Sequence, residues 1–149
     1  MFFELSIAIN RSPYDVFAFL RDKEKYPQKQ GSPVLALDKT TLGPTGVGTR
    51  YREAVQMLPL VRGEILSVIT RFETGAFLEE DFKGAGMSGH LAYQFLSEKT
   101  GTLLVQRETL VTVGLLNLVN PIIKLALGHQ LERRLRGIKL VLESGWIVE

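Results

Sequence analysis

Two glutamates, two tyrosines and an arginine carry the acid–base chemistry this sequence offers: Glu53, Glu108, Tyr51, Tyr93 and Arg71. A carboxyl held among apolar side chains has its charged form disfavoured, so its pKa climbs toward the range of a general acid or base. A nearby phenol can donate a hydrogen bond to a developing enolate. An aldol-type condensation or a dehydration needs these groups, which makes Glu53, Glu108 and Tyr93 the catalytic candidates. The competing reading seats both glutamates at strand ends, in rim salt bridges with Arg52, Arg71 or Arg107. Other chemistry is poorly represented. The chain has no cysteine, which removes disulfides, thiolate nucleophiles and zinc ribbons. Its two histidines, His90 and His129, lie on separate elements without metal-ligand spacing, and Glu79-Glu80-Asp81 alternates across a strand and reads as a solvated edge. We expect no metal and no cofactor.

The elements that must position these groups belong to one domain spanning residues 1–149. A chain of 149 residues, 45% hydrophobic and 23% charged, has the size and composition of a single globular unit. Lys and Arg exceed Asp and Glu by 18 − 16 = 2, so the pI of 9.0 reflects a small surplus and implies no nucleic-acid partner. The N-terminus lacks the basic and apolar regions of a secretory signal, and a cytoplasmic setting is expected. The most apolar stretch, Gly114 to Leu127, is broken by Asn117, Asn120, Pro121 and Lys124 and is shorter than the ~20 residues of a membrane span. We therefore expect no stable membrane insertion.

Phe3, Leu5, Ile7 and Ile9 alternate with polar or small residues and predict a half-buried first strand. Ser12-Pro13 then reads as a cap and first-turn proline for a short helix carrying Val16, Phe17, Phe19 and Leu20. Residues 22–28 are expected to add a further turn ending near Tyr26-Pro27. Six more strands follow, near 34–38, 49–57, 61–72, 77–82, 91–96 and 103–113. Short turns separate them and imply an antiparallel meander. The Gly-rich run 83–89 reads as a flexible hairpin loop rather than a phosphate cradle. Asn120-Pro121 predicts a helix start and Ser144-Gly145 its stop. In that long helix Leu131, Leu135, Ile138 and Leu142 form a packing stripe, with Glu132, Arg133, Arg136 and Lys139 opposite. Arg134 is grouped with the basic back, a surface that could also meet an anionic membrane. Residues 115–127 are apolar nearly all round and are expected to roof a cavity, with Gly128 allowing close approach or a bend.

This order of strand, two short helices, six strands and long helix resembles the START-like superfamily, particularly its polyketide cyclase/dehydrase branch. The carrying residues are 7–13 with Val16-Phe17-Ala18-Phe19-Leu20, Tyr26-Pro27, Gly46-Val47-Gly48-Thr49-Arg50-Tyr51, Tyr93-Gln94-Phe95 with Gly101-Thr102, and Leu131 to Glu143. The resemblance covers essentially the whole chain. It implies an α+β helix-grip fold, a seven-stranded curved antiparallel sheet around a long C-terminal helix, with a cavity for apolar molecules between them. A departure stands at Gln28-Lys29-Gln30, where many relatives carry a tryptophan.

Strand alternation selects the cavity lining. With Arg50 and Arg52 facing water, Tyr51, Glu53, Val55 and Met57 point inward. In the next strand Gly63, Ile65, Ser67, Ile69 and Arg71 share one face, and both faces are apolar enough to leave the register open. Leu91, Tyr93 and Phe95 share a face. The family pattern turns Leu104, Gln106, Glu108 and Leu110 inward, although Leu103, Val105, Arg107, Val111 and Val113 would suit an apolar lining as well. The expected ligand-binding set is Tyr51, Val55, Met57, Arg71, Leu91, Tyr93, Phe95, Gln106, Ile123 and Leu127. The favoured function is binding or carrying a small lipid-like or polyketide-like molecule. A cyclase or dehydratase, and a protein-interaction or membrane-peripheral module, stay open. So does the choice between monomer and homodimer.

Overall fold

The computed structural model describes residues 1–24, 34–58 and 61–145. β1 (Phe2–Ile9) leads through Asn10 and Arg11 into α1 (Pro13–Arg21). Ser12 caps α1, its Oγ accepting from the Asp15 amide at 3.2 Å, and Pro13 occupies the first turn, where no N–H is needed. Val16 to Leu20 are all buried. Phe17 meets Phe72 and Phe95 edge-on, with centroids 5.1 and 5.3 Å apart. Residues 22–24 form a turn. The second short helix expected through Tyr26-Pro27, and Gln28-Lys29-Gln30 after it, fall outside the described residues.

The six further strands are β2 (Val34–Lys39), β3 (Arg50–Leu58), β4 (Val61–Glu73), β5 (Phe77–Gly84), β6 (Met87–Glu98) and β7 (Gly101–Thr112). They form a meander that β1 completes by pairing with β7, giving one antiparallel sheet of order β1-β7-β6-β5-β4-β3-β2. The β5–β6 connection is tighter than the glycine run suggests. Both strands extend to Gly84 and Met87, joined by Ala85-Gly86 with φ of 54° and 78°. Two positive-φ residues make the hairpin turn whose twist matches that of its strands.

A bulge in β4 decides one disputed face. Pairing with β5 slips between Ile69 and Arg71, so Thr70 is the extra residue, and the side chains beyond it change sides. Phe72 therefore joins Ile69 on the packed face. Arg71 turns to the convex face, where it is exposed and lies over the Phe77 ring at 3.6 Å.

α2 (Asn120–Glu143) follows a 3₁₀ segment, Gly114–Val119. Its N-cap is Val119 rather than Asn120, whose side chain is engaged elsewhere. Asn120 Oδ1 and Asn117 Oδ1 lie 2.5 and 2.7 Å from the Thr112 hydroxyl. At the other end Ser144 caps the helix and Gly145, at φ 101°, ends it.

The two halves of α2 differ. Leu135, Ile138 and Leu142 are its buried residues and join the core with Ile9, Phe17, Tyr51 and Leu104. The last turn is tied to the β1–α1 corner. Arg11 donates to the Leu142 carbonyl at 2.8 Å, and the Asn10 amide donates to Glu143 Oε1 at 2.9 Å. In the first half, Leu118, Ile122 and Leu125 are 80%, 70% and 67% exposed, so only part of the expected roof faces inward. A helix apolar on every side must leave one side out. Ile123 and Leu127 are half-buried. A Cβ on Gly128 would meet Phe3 at an ordinary 3.8 Å, so space does not demand glycine there.

Candidate functional site on the concave face

Antiparallel register places directly opposed residues on one face, and three rows cross the concave side. Ile69, Glu80, Leu91 and Glu108 oppose one another in sequence across β4 to β7. Phe72, Leu78, Tyr93, Gln106 and Leu5 form a second row ending on β1. Tyr51, Ser67, Phe82, Gly89 and Leu110 form a third. Charged and polar groups thus sit among apolar ones on a surface otherwise built as a core.

Lys23, just beyond α1, reaches into this face. Its Nζ lies 3.1 Å from Glu53 Oε1 and 3.0 Å from Glu80 Oε2, and 4.3 Å from the Tyr51 ring centroid. Burial by itself would lower the ammonium's pKa, but Glu80 and Glu53 outweigh it and hold the group above its ordinary value. Lys23 is therefore a fixed cation bridging two strands. Glu53, a catalytic candidate, is committed to this bridge.

Glu108 is different. No described residue pairs with it, and burial pushes its carboxyl up to about 7, Arg134 pulling it back and Glu80 adding to the rise. Arg134 comes from α2 and is half-buried. Tyr93 first, then Glu53, Glu80 and Glu108, raise its pKa against the opposing effect of burial. Yet among the described residues no carboxylate comes within ion-pairing distance of its guanidinium.

Several buried polar atoms on this face lack a partner among the described residues. They include Ser67 Oγ, Tyr93 Oη and both polar side-chain atoms of Gln106, with Gln106 0% and Tyr93 4% exposed. Burial raises the Tyr93 phenol. The Tyr51 phenol rises to about 12, chiefly through burial, and its hydroxyl lies toward Thr45 without closing a well-formed hydrogen bond.

The fold thus gathers Glu53, Glu108, Tyr51 and Tyr93 on one face, with Val55, Leu91, Phe95 and Gln106 buried on the same side. Arg71 stands outside, because of the Thr70 bulge, and Met57 lies beyond the described side chains. Ile123 and Leu127 continue along α2, by spacings of four and three, toward Leu131 and Arg134. The arginines expected as alternative partners of the glutamates are engaged elsewhere. Arg52 meets Glu64 at 3.6 Å, Arg71 meets Glu73 and Glu79, and Arg107 meets Glu4 at 3.0 Å.

Sequence reasoning misses Lys23, Glu80 and Arg134. Glu80 lies between Leu78 and Phe82 in the alternation, which is an inward position. Arg134 stands three residues after Leu131 and four before Ile138, within the packing stripe and not on the basic back. Among the described residues, no group of three or more His, Cys, Asp or Glu could hold a metal.

No protein-family model matches the chain, and no curated protein matches it. Solved structures do. The protein TTHA0849 from Thermus thermophilus superposes with a TM-score of 0.77 at 17% identity, over 97% of this chain and 98% of that one. A START superfamily protein from Mycobacterium smegmatis gives 0.77 at 13% identity, over 96% and 97%. The chain has the START-like helix-grip fold. Ara h 8.0201 shares this fold with a TM-score of 0.73 at 15% identity, over 97% of this chain and 99% of that one. At such identities the START-like fold is what the likeness carries, and the chemistry must be argued from this chain's own concave face. No described helix is long and apolar enough to cross a membrane.

Proposed function

We propose that the protein binds a small, mainly apolar molecule between the concave sheet and α2. The observation that carries this reading is the set of buried, unpartnered polar atoms on Ser67, Tyr93 and Gln106 within an apolar surface. Each such group costs about 1–3 kcal/mol when left unmatched. A ligand with an apolar body and one or two oxygen-bearing groups would match them. Apolar area would supply most of its affinity, and the polar atoms its orientation. The test is titration with the neutral apolar dye Nile red, alongside native mass spectrometry of the purified protein before and after organic extraction. One saturable site is expected, lost when the concave face is filled by Leu91→Trp. Binding that survives Leu91→Trp unchanged, in a folded variant, would place the dye elsewhere and overturn the reading.

A second reading is supported by Glu108, raised to about 7, standing on the same face as Tyr93 and one row from it, since Glu108 opposes Leu91 and Gln106 opposes Tyr93. In it Glu108 takes a proton from carbon beside a ligand carbonyl while Tyr93 hydrogen-bonds the forming enolate oxygen. Deuterium incorporation into a 1,3-diketone probe would reveal the reaction, and Glu108→Gln should abolish it while leaving Nile red affinity near normal. Equal incorporation by both proteins would dismiss it.

A further inference from the structure

We infer that Arg134, with Tyr93, Gln106 and Glu108, forms a subsite for a carboxylate group, so that the favoured ligand is a small apolar acid. The inference rests on the binding reading above and names the chemistry of that ligand. Among the described residues, two cations reach the concave face, and they are in different states. Lys23 is held between Glu53 and Glu80. Arg134 approaches the same carboxylates and Glu108 without pairing with any of them. A ligand lodged between sheet and helix would shield that guanidinium from solvent. Lys23 balances only one of the two carboxylates that hold it, and Arg134 faces the remaining charge at a distance; a neutral ligand would leave the guanidinium's own N–H donors unmatched, which is costlier than leaving a neutral polar group unmatched. A carboxylate resolves this, because the guanidinium fork can engage both of its oxygens. From the opposite side Tyr93 Oη and the Gln106 amide, both buried and unpartnered, can donate to the same group.

Glu108 adds a condition of pH. As a neutral acid it can donate a further hydrogen bond to the ligand, and as a carboxylate it repels it. The groups facing it are Arg134 from α2, Glu80 from β5 and Tyr93 from β6, with Glu53 and Lys23 completing the cluster. Lys23 and Arg134 stay charged across neutrality, so the change between about pH 6 and 8 comes from Glu108. Acid binding should weaken over that interval and alcohol binding should not.

The test is calorimetric titration of the whole chain with decanoate and with decanol. Decanoate should bind at least about tenfold more tightly at pH 6, the size of one charge-assisted interaction. Arg134→Gln should erase that preference, and Arg133→Gln, at an exposed neighbour, should keep both the preference and the decanol affinity. Equal affinities in the wild-type protein, or a preference that survives Arg134→Gln, would overturn the carboxylate subsite while leaving apolar binding intact. Absence of binding by both compounds would overturn the binding reading and this inference with it. The wild-type comparison needs no variant to fold.

Discussion

Replacing Glu108 with glutamine should stabilise the protein, increasingly so as pH rises. The carboxyl lies on β7 facing the concave side, and burial carries it from an ordinary 4.5 to about 7. A raised carboxyl pKa means that the folded state holds a proton the unfolded chain has already released. The associated stability is complete below about pH 4.5 and is lost as pH rises through about 7. The full difference is worth about 3 kcal/mol. Glutamine keeps the shape and cannot ionise. Urea unfolding of both proteins at pH 5, 6, 7 and 8 should show curves that diverge, the variant gaining about 2–3 kcal/mol relative to wild type across the series. For a chain of this size the full difference corresponds to roughly 6–12 °C in Tm. His90, whose pKa Asp81 and Glu79 raise against the opposing effect of burial, is common to both proteins and cancels in the difference. Parallel curves would refute the argument, because they would mean that Glu108 is as well solvated in the folded chain as in the unfolded one.

Lys23→Met should destabilise the fold by about 3–5 kcal/mol, since it strands Glu53 and Glu80 on a packed face; chemical denaturation at pH 7 checks it, and a loss under about 1 kcal/mol would contradict the buried bridge. Leu142→Ala removes a fully buried side chain at the pinned end of α2 and should cost about 2–5 kcal/mol by the same assay. His90 sits on the convex face, 2.6 Å from Asp81 and 2.9 Å from Glu79. Its raised pKa contributes stability that is complete below 6.5 and lost as pH rises through the folded value, so His90→Gln should lower Tm more at pH 5.5 than at alkaline pH.

Most of the architecture is legible in the sequence because the relevant signals are local. Alternation in β1, the Ser12-Pro13 cap and the turns before β5 and β7 each state a conformation within a few residues. Arg71 is misplaced by the alternation for the opposite reason. A bulge adds one residue without a mark in the local pattern, and Thr70 fits a regular strand as well as a bulged one. Asn120 reads as a cap because the residue type suits one, whereas its partner, Thr112, lies on a neighbouring strand. Glu53, Glu108 and Tyr93 assemble on one face from the alternation and the family pattern. Lys23 and Arg134 do not, because a long cationic side chain is cheapest in water, and only the tertiary arrangement reveals carboxylates waiting inside. In Arg134 the helical spacing carries the information and the residue type argues against it.

The bonds from Asn10 and Arg11 to the last turn of α2 have a mechanical consequence. They make that turn a pivot, so any tilt of the helix sweeps its far end through the largest arc. At ~1.5 Å per residue, Asn120 stands about 33 Å from Leu142 and Arg134 about 12 Å. A tilt of about 10° would carry the start of the helix about 6 Å while moving the arginine backbone only about 2 Å. A hydrocarbon could then enter beneath Ile123 and Leu127 with the guanidinium still near its station on the sheet.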